Sequence, residues 1–142
     1  MQRLLADGLV LDDDRDRIDR PAVHAFISTS YWALGRDRAT MDELIATAAR
    51  VAGLYGGDGR QLGFARVVSD GHTVSYLADV YVLEEARGRG FGLELVRFTV
   101  DGGDLGHTKW LLHTRDMHRL YARLGFVAPG ERLLERGRRT AD

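Results

Sequence analysis

The stretch that decides the reading is Val80-Tyr81-Val82-Leu83-Glu84-Glu85-Ala86-Arg87-Gly88-Arg89-Gly90-Phe91-Gly92-Leu93. Its first residues close an apolar run from Thr73 to Leu83, long enough for a central β-strand. The second half is glycine-rich, and Leu93, Val96 and Val100 follow at helical spacing. A strand, a glycine loop and a helix in this order have a chemical consequence. Glycine lets the backbone turn sharply and approach a ligand closely. The first turn of a helix leaves amide N–H groups without partners, and the helix dipole favours negative charge there. Such a place suits a phosphate or pyrophosphate, each amide bonded to an ionised oxygen contributing about 1.5–3 kcal/mol. Arg87 and Arg89 add positive charge at the rim. Spacing excludes two common phosphate loops. The fingerprint G-x-G-x-x-G meets Leu93 or Leu95 where its last glycine belongs, and no G-x-x-x-x-G-K-[ST] occurs. The plain alternative is a strand-to-helix turn that needs glycine for steric reasons alone.

Downstream, Gly102-Gly103 ends the helix, and Lys109 to Thr114 reads as a further strand. Asp116 is the expected cap of a last helix in which Met117, Leu120, Tyr121 and Leu124 share one face. Gly125 supplies its left-handed stop and Phe126 the apolar residue after it. Arg132-Leu133-Leu134-Glu135 reads as a short strand or a turn of helix, and Arg136-Gly137-Arg138-Arg139 as a solvated tail. Upstream, Asp70-Gly71 marks a hairpin between Leu62–Val68 and the central strand, and Gly56-Gly57-Asp58-Gly59 marks another behind Val51–Tyr55. Thr40-Met41-Asp42-Glu43 matches a capping box before a helix carrying Leu44, Ile45, Ala48 and Ala49. Asp19-Arg20-Pro21 starts an earlier helix, expected to run to about Trp32. Gly8 to Asp14 reads as a first strand running into an acidic loop. The expected order is β-α-α-β-β-β-α-β-α with a weak final β, an α+β (mixed α/β) fold with one central mixed sheet flanked by helices.

The chain has 142 residues, which predicts one domain over 1–142. Its 20 Lys+Arg against 21 Asp+Glu exclude the whole-chain basic field that nucleic-acid binders use. Only the Arg136–Arg139 tail favours such a partner, so no nucleic acid is expected. With no cysteine there is no disulfide, thiolate zinc site or Cys nucleophile. The five histidines lack ligand spacing, and no metal is predicted. Apolar runs fall short of the ~18 residues of a membrane span, and Arg3 and Asp7 interrupt the start too early for a signal peptide. The expected location is cytoplasmic, without a membrane partner.

The segment Val80–Gly92 resembles the acetyl-CoA-binding motif of the GNAT superfamily of N-acetyltransferases, a V-x-V strand end followed by [QR]-x-x-G-x-[GA]. Arg87, Gly90 and Gly92 stand at its signature positions. Leu120-Tyr121-Ala122-Arg123-Leu124-Gly125-Phe126 resembles the second signature, Tyr-x-x-x-Gly-Phe, and the element order is similar to the superfamily fold. The resemblance covers roughly residues 20–127. Ser30-Tyr31-Trp32 and Thr114-Arg115-Asp116-Met117-His118 further resemble a group of small bacterial members.

The resemblance implies transfer of the acetyl group of acetyl-CoA to a primary amine of a small molecule or peptide by direct attack. It implies that the backbone of Val80, Tyr81 and Val82 bonds the pantetheine arm. It also implies that the amides of Gly88, Arg89, Gly90, Phe91, Gly92 and Leu93 hold the pyrophosphate. An N–H near Val82 would polarise the thioester carbonyl. Tyr121 stands where the family places its general acid. A phenol with an unperturbed pKa near 10 lies about 1.5 units above a thiol and can donate at neutral pH. The alternative is that Tyr121 is simply part of the apolar face it shares with Leu120 and Leu124.

No general base stands out. Period-two alternation puts Tyr76 and Ala78 on the face of Val80 and Val82, where family members often carry a carboxylate or histidine. Asp79 falls on the other face, as a structural hydrogen-bonding group. His118, one turn before Tyr121, is an alternative, as is a water chain. Thr114 stands where the family often has Asn as a cofactor contact. Tyr31, Trp32 and Arg36 are the candidate acceptor site, suited to an apolar or an acidic acceptor. Dimers are common in the superfamily, so a homodimer is an assembly the resemblance allows. A non-catalytic acyl-CoA-binding or sensor domain on the same fold is the second reading, motivated by the missing base.

Overall fold

A computed structural model describes residues 1–139. Six strands form one sheet in the order β1-β2-β3-β4-β5-β6: β1 Gln2–Leu4, β2 Val10–Asp12, β3 Arg50–Tyr55, β4 Gln61–Ser69, β5 Val74–Val82 and β6 Lys109–Leu112. All neighbours are antiparallel except β5 and β6, which run parallel. A parallel pair needs a crossover, and α3 (Phe91–Asp101) supplies it. α1 (Arg20–Ile27) and α2 (Arg38–Thr47) precede β3, and α4 (His118–Ala122) follows β6.

Helices cover both faces of the sheet. On one, Leu95, Val96 and Phe98 of α3 pack on Leu11, Leu54, Ala65, Val67 and Leu77, with Leu120, Tyr121, Leu124 and Phe126 leaning in from α4 and beyond. On the other, Val23, Ile27, Met41 and Ile45 of α1 and α2 pack on Val51, Phe64 and Tyr81. The mixed sheet between helical layers is therefore as expected, with differences at the edges.

α1 ends at Ile27 rather than near Trp32. The hydroxyls of Thr29 and Ser30 donate to the carbonyls of Phe26 and Ile27, which takes those carbonyls away from a continuing helix. Asp37, not Thr40, caps α2: its carboxylate accepts from the Thr40 N–H at 2.6 Å. Likewise Asp116 does not cap α4. The Thr114 hydroxyl accepts from the Met117 N–H at 3.0 Å and starts that turn. The first strand is shorter than Gly8–Asp14 and pairs with an unforeseen N-terminal strand, β1. The weak final β does not form: among the described residues after Ala122 there is no helix or strand, and Arg132–Glu135 is irregular.

The central strand carries the most consequential irregularity. Phe64 pairs with Tyr81, yet Arg66 pairs with Ala78, so Ala65 alone faces two residues of β5. This is a β-bulge, and Asp79 turns it with φ +53°. Aspartate is among the few residues that tolerate that region. The bulge shifts the parity of the strand. Leu77, Val80 and Val82 face α3, while Tyr81 faces α1 and α2. Simple alternation placed Tyr76 with Val80 and Val82. Instead, Tyr76 shares a cleft with Asp79 on the α1–α2 side.

Candidate functional site

The glycine loop is built as its residue types dictate. After a single turn at Glu84–Ala86, Gly88 and Gly90 adopt φ +79° and +83°, and Gly90 is the residue from which α3 starts. A Cβ at either would meet open space, so glycine is needed for the backbone angle alone. At Gly92 the neighbours are close: a Cβ would lie 3.7 Å from Leu120 and 3.8 Å from Val82. Among the described residues, no backbone N–H of residues 88–93 has a protein acceptor. A run of free amides at the head of an eleven-residue helix is a cradle for an anion.

Beside the cradle the sheet opens. β5 and β6 pair from Val74–Lys109 to Leu77–Leu112 and no further. Residues 78–82 therefore have no strand partner on their β6 side. The wedge leads from the cradle towards Tyr121, so an extended ligand anchored by an anion at the cradle would find free backbone along this edge.

The arginines at the rim are engaged. Arg87 Nε donates to the Val82 carbonyl at 2.8 Å. Arg89 pairs with Asp7 at 3.3 Å and lies over the Phe91 ring. Tyr81 contributes backbone to the wedge, while its ring stacks on Phe26 at 3.9 Å within the core.

A cleft of about 530 Å³ lies on the α1–α2 side. Tyr31, Trp32, Arg36, Thr114 and Tyr121 all line it. His118 does not line it: it is the exposed first residue of α4. At the base of the cleft Asp79 is 5% exposed. Its Oδ1 accepts from Trp32 Nε1 at 2.9 Å, and its Oδ2 accepts from Arg36 Nη1 and Arg66 Nε, each at 2.8 Å. Asp79 is thus a structural hydrogen-bonding group, and it holds two of the candidate acceptor residues in place. Tyr31 packs edge-on against Trp32 and lies under the Arg115 guanidinium.

Tyr121 stands where cleft and wedge meet, edge-on to Phe126 at 5.8 Å. Burial, and secondarily the nearby Tyr31 phenol, push its pKa up to about 12. The phenol is therefore protonated at neutral pH. The same shift widens its gap above a thiol to roughly 3–4 units, which makes the phenol a weaker acid than a solvated one.

Two cleft residues, Arg66 and His113, are not marked by the sequence, and a third, Tyr76, lies on the face opposite to the expected one. Arg66 sat inside an apolar strand, and only the bulge brings it to Asp79. Tyr76 donates to His113 Nδ1 at 2.5 Å, and His113 also contacts Glu135. Burial raises the Tyr76 pKa, which keeps it a donor. His113 lay unmarked in the Lys109–Thr114 strand, and nothing local distinguished it. The described residues contain no group of three or more His, Asp or Glu able to hold a metal.

Comparison with known proteins gives this arrangement a family. A family profile described as the acetyltransferase (GNAT) domain matches residues 48–128. A solved structure assigned to the GNAT acetyltransferase family from Xanthomonas campestris pv. campestris is 36% identical, with a TM-score of 0.84 over 91% of this chain and 92% of that one. An acetyltransferase assignment also accompanies a structure from Deinococcus radiodurans R1, 24% identical, TM-score 0.67, over 94% of this chain and 92% of that one. Glucosamine-6-phosphate N-acetyltransferase from Arabidopsis thaliana shares the fold at 10% identity, TM-score 0.65, over 90% of this chain and 97% of that one. No curated protein matches the sequence. The profile spans more than half of the chain and takes in both the glycine cradle and Tyr121, so the chain belongs to the GNAT acetyltransferase family.

Proposed function

We propose that this protein transfers the acetyl group of acetyl-CoA to a primary amine of a small molecule or peptide by direct attack. The observation that carries the reading is the continuity of the site. Free amides at residues 88–93 open onto the unpaired edge of β5, and Tyr121 stands between that edge and a polar cleft. When bound, acetyl-CoA supplies an acyl group activated as a thioester.

The chain's residues then have the following roles. The amides of residues 88–93 hold the pyrophosphate. The backbone of Val80–Val82 aligns the pantetheine arm, and an N–H near Val82 polarises the thioester carbonyl. Arg87, bonded to the Val82 carbonyl, braces that strand end. The amine nitrogen forms its bond to the acetyl carbon as the carbon–sulfur bond breaks, and Tyr121 gives its proton to the departing sulfur. The proton lost by the nitrogen passes to Tyr76 Oη, whose own proton moves to His113 Nδ1. His113 takes this role in place of His118 because it lines the cleft. A lysine-type amine costs about 4.6 kcal/mol to deprotonate at pH 7 and an α-amino group about 1–1.4, so a weak relay suits an α-amine better.

No helix among the described residues is long and apolar enough to cross a membrane, and a cysteine-free chain suits the cytoplasm. A homodimer is compatible with this reading. The second reading, a non-catalytic acyl-CoA-binding domain, is favoured by one observation: Asp79, the carboxylate of the central strand, has its oxygens taken by Trp32, Arg36 and Arg66. Thiol release from acetyl-CoA across a panel of amino acids, polyamines, aminoglycosides and short peptides separates the two. Turnover with one class supports the enzyme. A raised melting temperature with acetyl-CoA but no turnover with any amine supports the binding domain.

A further inference from the structure

Among the described residues, the proposed acceptor cleft is lined by more positive than negative side chains. Arg36 and Arg66 donate to the same oxygen of one carboxylate, so Asp79 balances one guanidinium and not two. Both arginines are largely withdrawn from solvent, with side chains 14% and 10% exposed. The bond from Nε to Asp79 is the one Arg66 makes to a protein acceptor among the described residues, which leaves both terminal nitrogens without one. They are not sealed in the core either. Among the described residues, the fully buried unpartnered side-chain atoms are Arg50 Nε, the Tyr55 hydroxyl and Glu94 Oε2, and none belongs to Arg66. The free face of this guanidinium therefore looks into the cleft that it lines. Around the wall Arg115 and Arg138 add positive charge, Asp116 adds a second carboxylate, and a third, Glu135, is held at the rim by His113. A buried charge without a counter-charge is expensive, and a guanidinium fork matches an oxyanion in geometry as well as in sign.

We propose, resting on the reading that this cleft receives the acceptor, that the acceptor is an anionic amine. It is a primary amine bearing a carboxylate or phosphate, and the terminal N–H groups of Arg66, with Arg36 beside them, bind that oxyanion. The aromatic pair Tyr31 and Trp32 shapes the opening, but the charge selects. Of the apolar and acidic acceptors that the sequence allowed, the free guanidinium favours the acidic one.

The test uses the wild-type chain and matched pairs at constant ionic strength: glycine against glycinamide, and O-phosphoethanolamine against ethanolamine. Each compound is assayed for thiol release from acetyl-CoA. In parallel its effect on the melting temperature is measured with coenzyme A present. The expected result is a preference of about tenfold or more for the anionic member of at least one pair, in kcat/KM or in the concentration that raises the melting temperature. The responding pair tells carboxylate from phosphate. Arg66→Gln, which keeps a polar contact to Asp79 and removes the charge, should shrink the preference to about twofold with acetyl-CoA affinity unchanged. Equal response to the members with and without the oxyanion in both pairs overturns the proposal, and a preference that survives Arg66→Gln overturns the assignment to Arg66. Anion-selective stabilisation without turnover would leave this inference standing while removing the transferase reading.

Discussion

The glycine cradle and the acceptor cleft adjoin at Tyr121 yet are built on opposite plans. The cradle is a continuous stretch, residues 80–93, and what it presents is backbone: free amides, two left-handed glycines, an unpaired strand edge. Its charged side chains are spent elsewhere, Arg87 on the Val82 carbonyl and Arg89 on Asp7. The cleft draws on distant segments: Trp32 and Arg36 from the α1–α2 connection, Arg66 from β4, Asp79 from the bulge in β5, His113 after β6. Its chemistry lies wholly in side chains. On the proposed reading, a site that binds its carrier through backbone tolerates side-chain change, whereas a site that selects an acceptor through side chains does not.

That contrast predicts which substitutions matter. The largest effect falls on the cleft. Asp79→Asn leaves two buried guanidiniums without a counter-charge, so the free energy of unfolding should fall by about 3–5 kcal/mol. Chemical denaturation should show a lowered midpoint at unchanged slope, and a loss below about 1 kcal/mol would mean that the cluster does not organise the cleft. In the cradle, Gly90→Val forces a β-branched residue towards φ +83° in otherwise open space. The fold should survive, while acetyl-CoA affinity measured by calorimetry drops about a hundredfold, as several charged amide bonds are misaligned together. Unchanged affinity would show that the amides are not the anchor.

At the junction, Tyr121 gives a pH signature. Its phenol titrates near 10 when unfolded and near 12 when folded. The folded state keeps a proton that the unfolded state loses. The resulting stabilisation, about 2–3 kcal/mol in full, is present below pH 10 and vanishes as pH rises towards 12. Denaturation curves of Tyr121→Phe should therefore lose less stability across that window than the wild type; parallel decline would place the phenol in solvent. The smallest effect is expected at the cradle's own side chains. Arg87→Ala and Arg89→Ala should each weaken acetyl-CoA binding less than about tenfold, since exposed charges are screened. A larger loss at either would move the binding energy from backbone to side chain.

The same contrast explains what could be read from the sequence. The cradle was legible because backbone function leaves a local trace: glycines at fixed spacing between a strand and a helix. Leu120, Tyr121, Leu124 and Gly125 were legible for the same reason, as periodicity followed by a left-handed stop. The cleft was half legible. Tyr31, Trp32 and Arg36 are legible as an aromatic pair beside a cation. Arg66 looked like one charge in an apolar strand, and His113 like one residue near a strand end. The face of Tyr76 was misjudged because alternation assumes an even pleat, and Asp79 breaks it with one left-handed residue. Helix boundaries failed where capping was set by competition. Thr40 could have capped α2, but Asp37 reaches the Thr40 amide first, and Thr29 and Ser30 close α1 early.

The most direct test of the account measures acetyl-CoA affinity and thiol release together, in wild type and in Tyr121→Phe, with the amine that serves best. Backbone binding and side-chain chemistry predict that the two readouts separate: affinity unchanged, and kcat lower by about tenfold to a hundredfold in the variant. Equal turnover in both proteins would contradict the role given to Tyr121, and a parallel loss of affinity and rate would contradict the division between cradle and cleft.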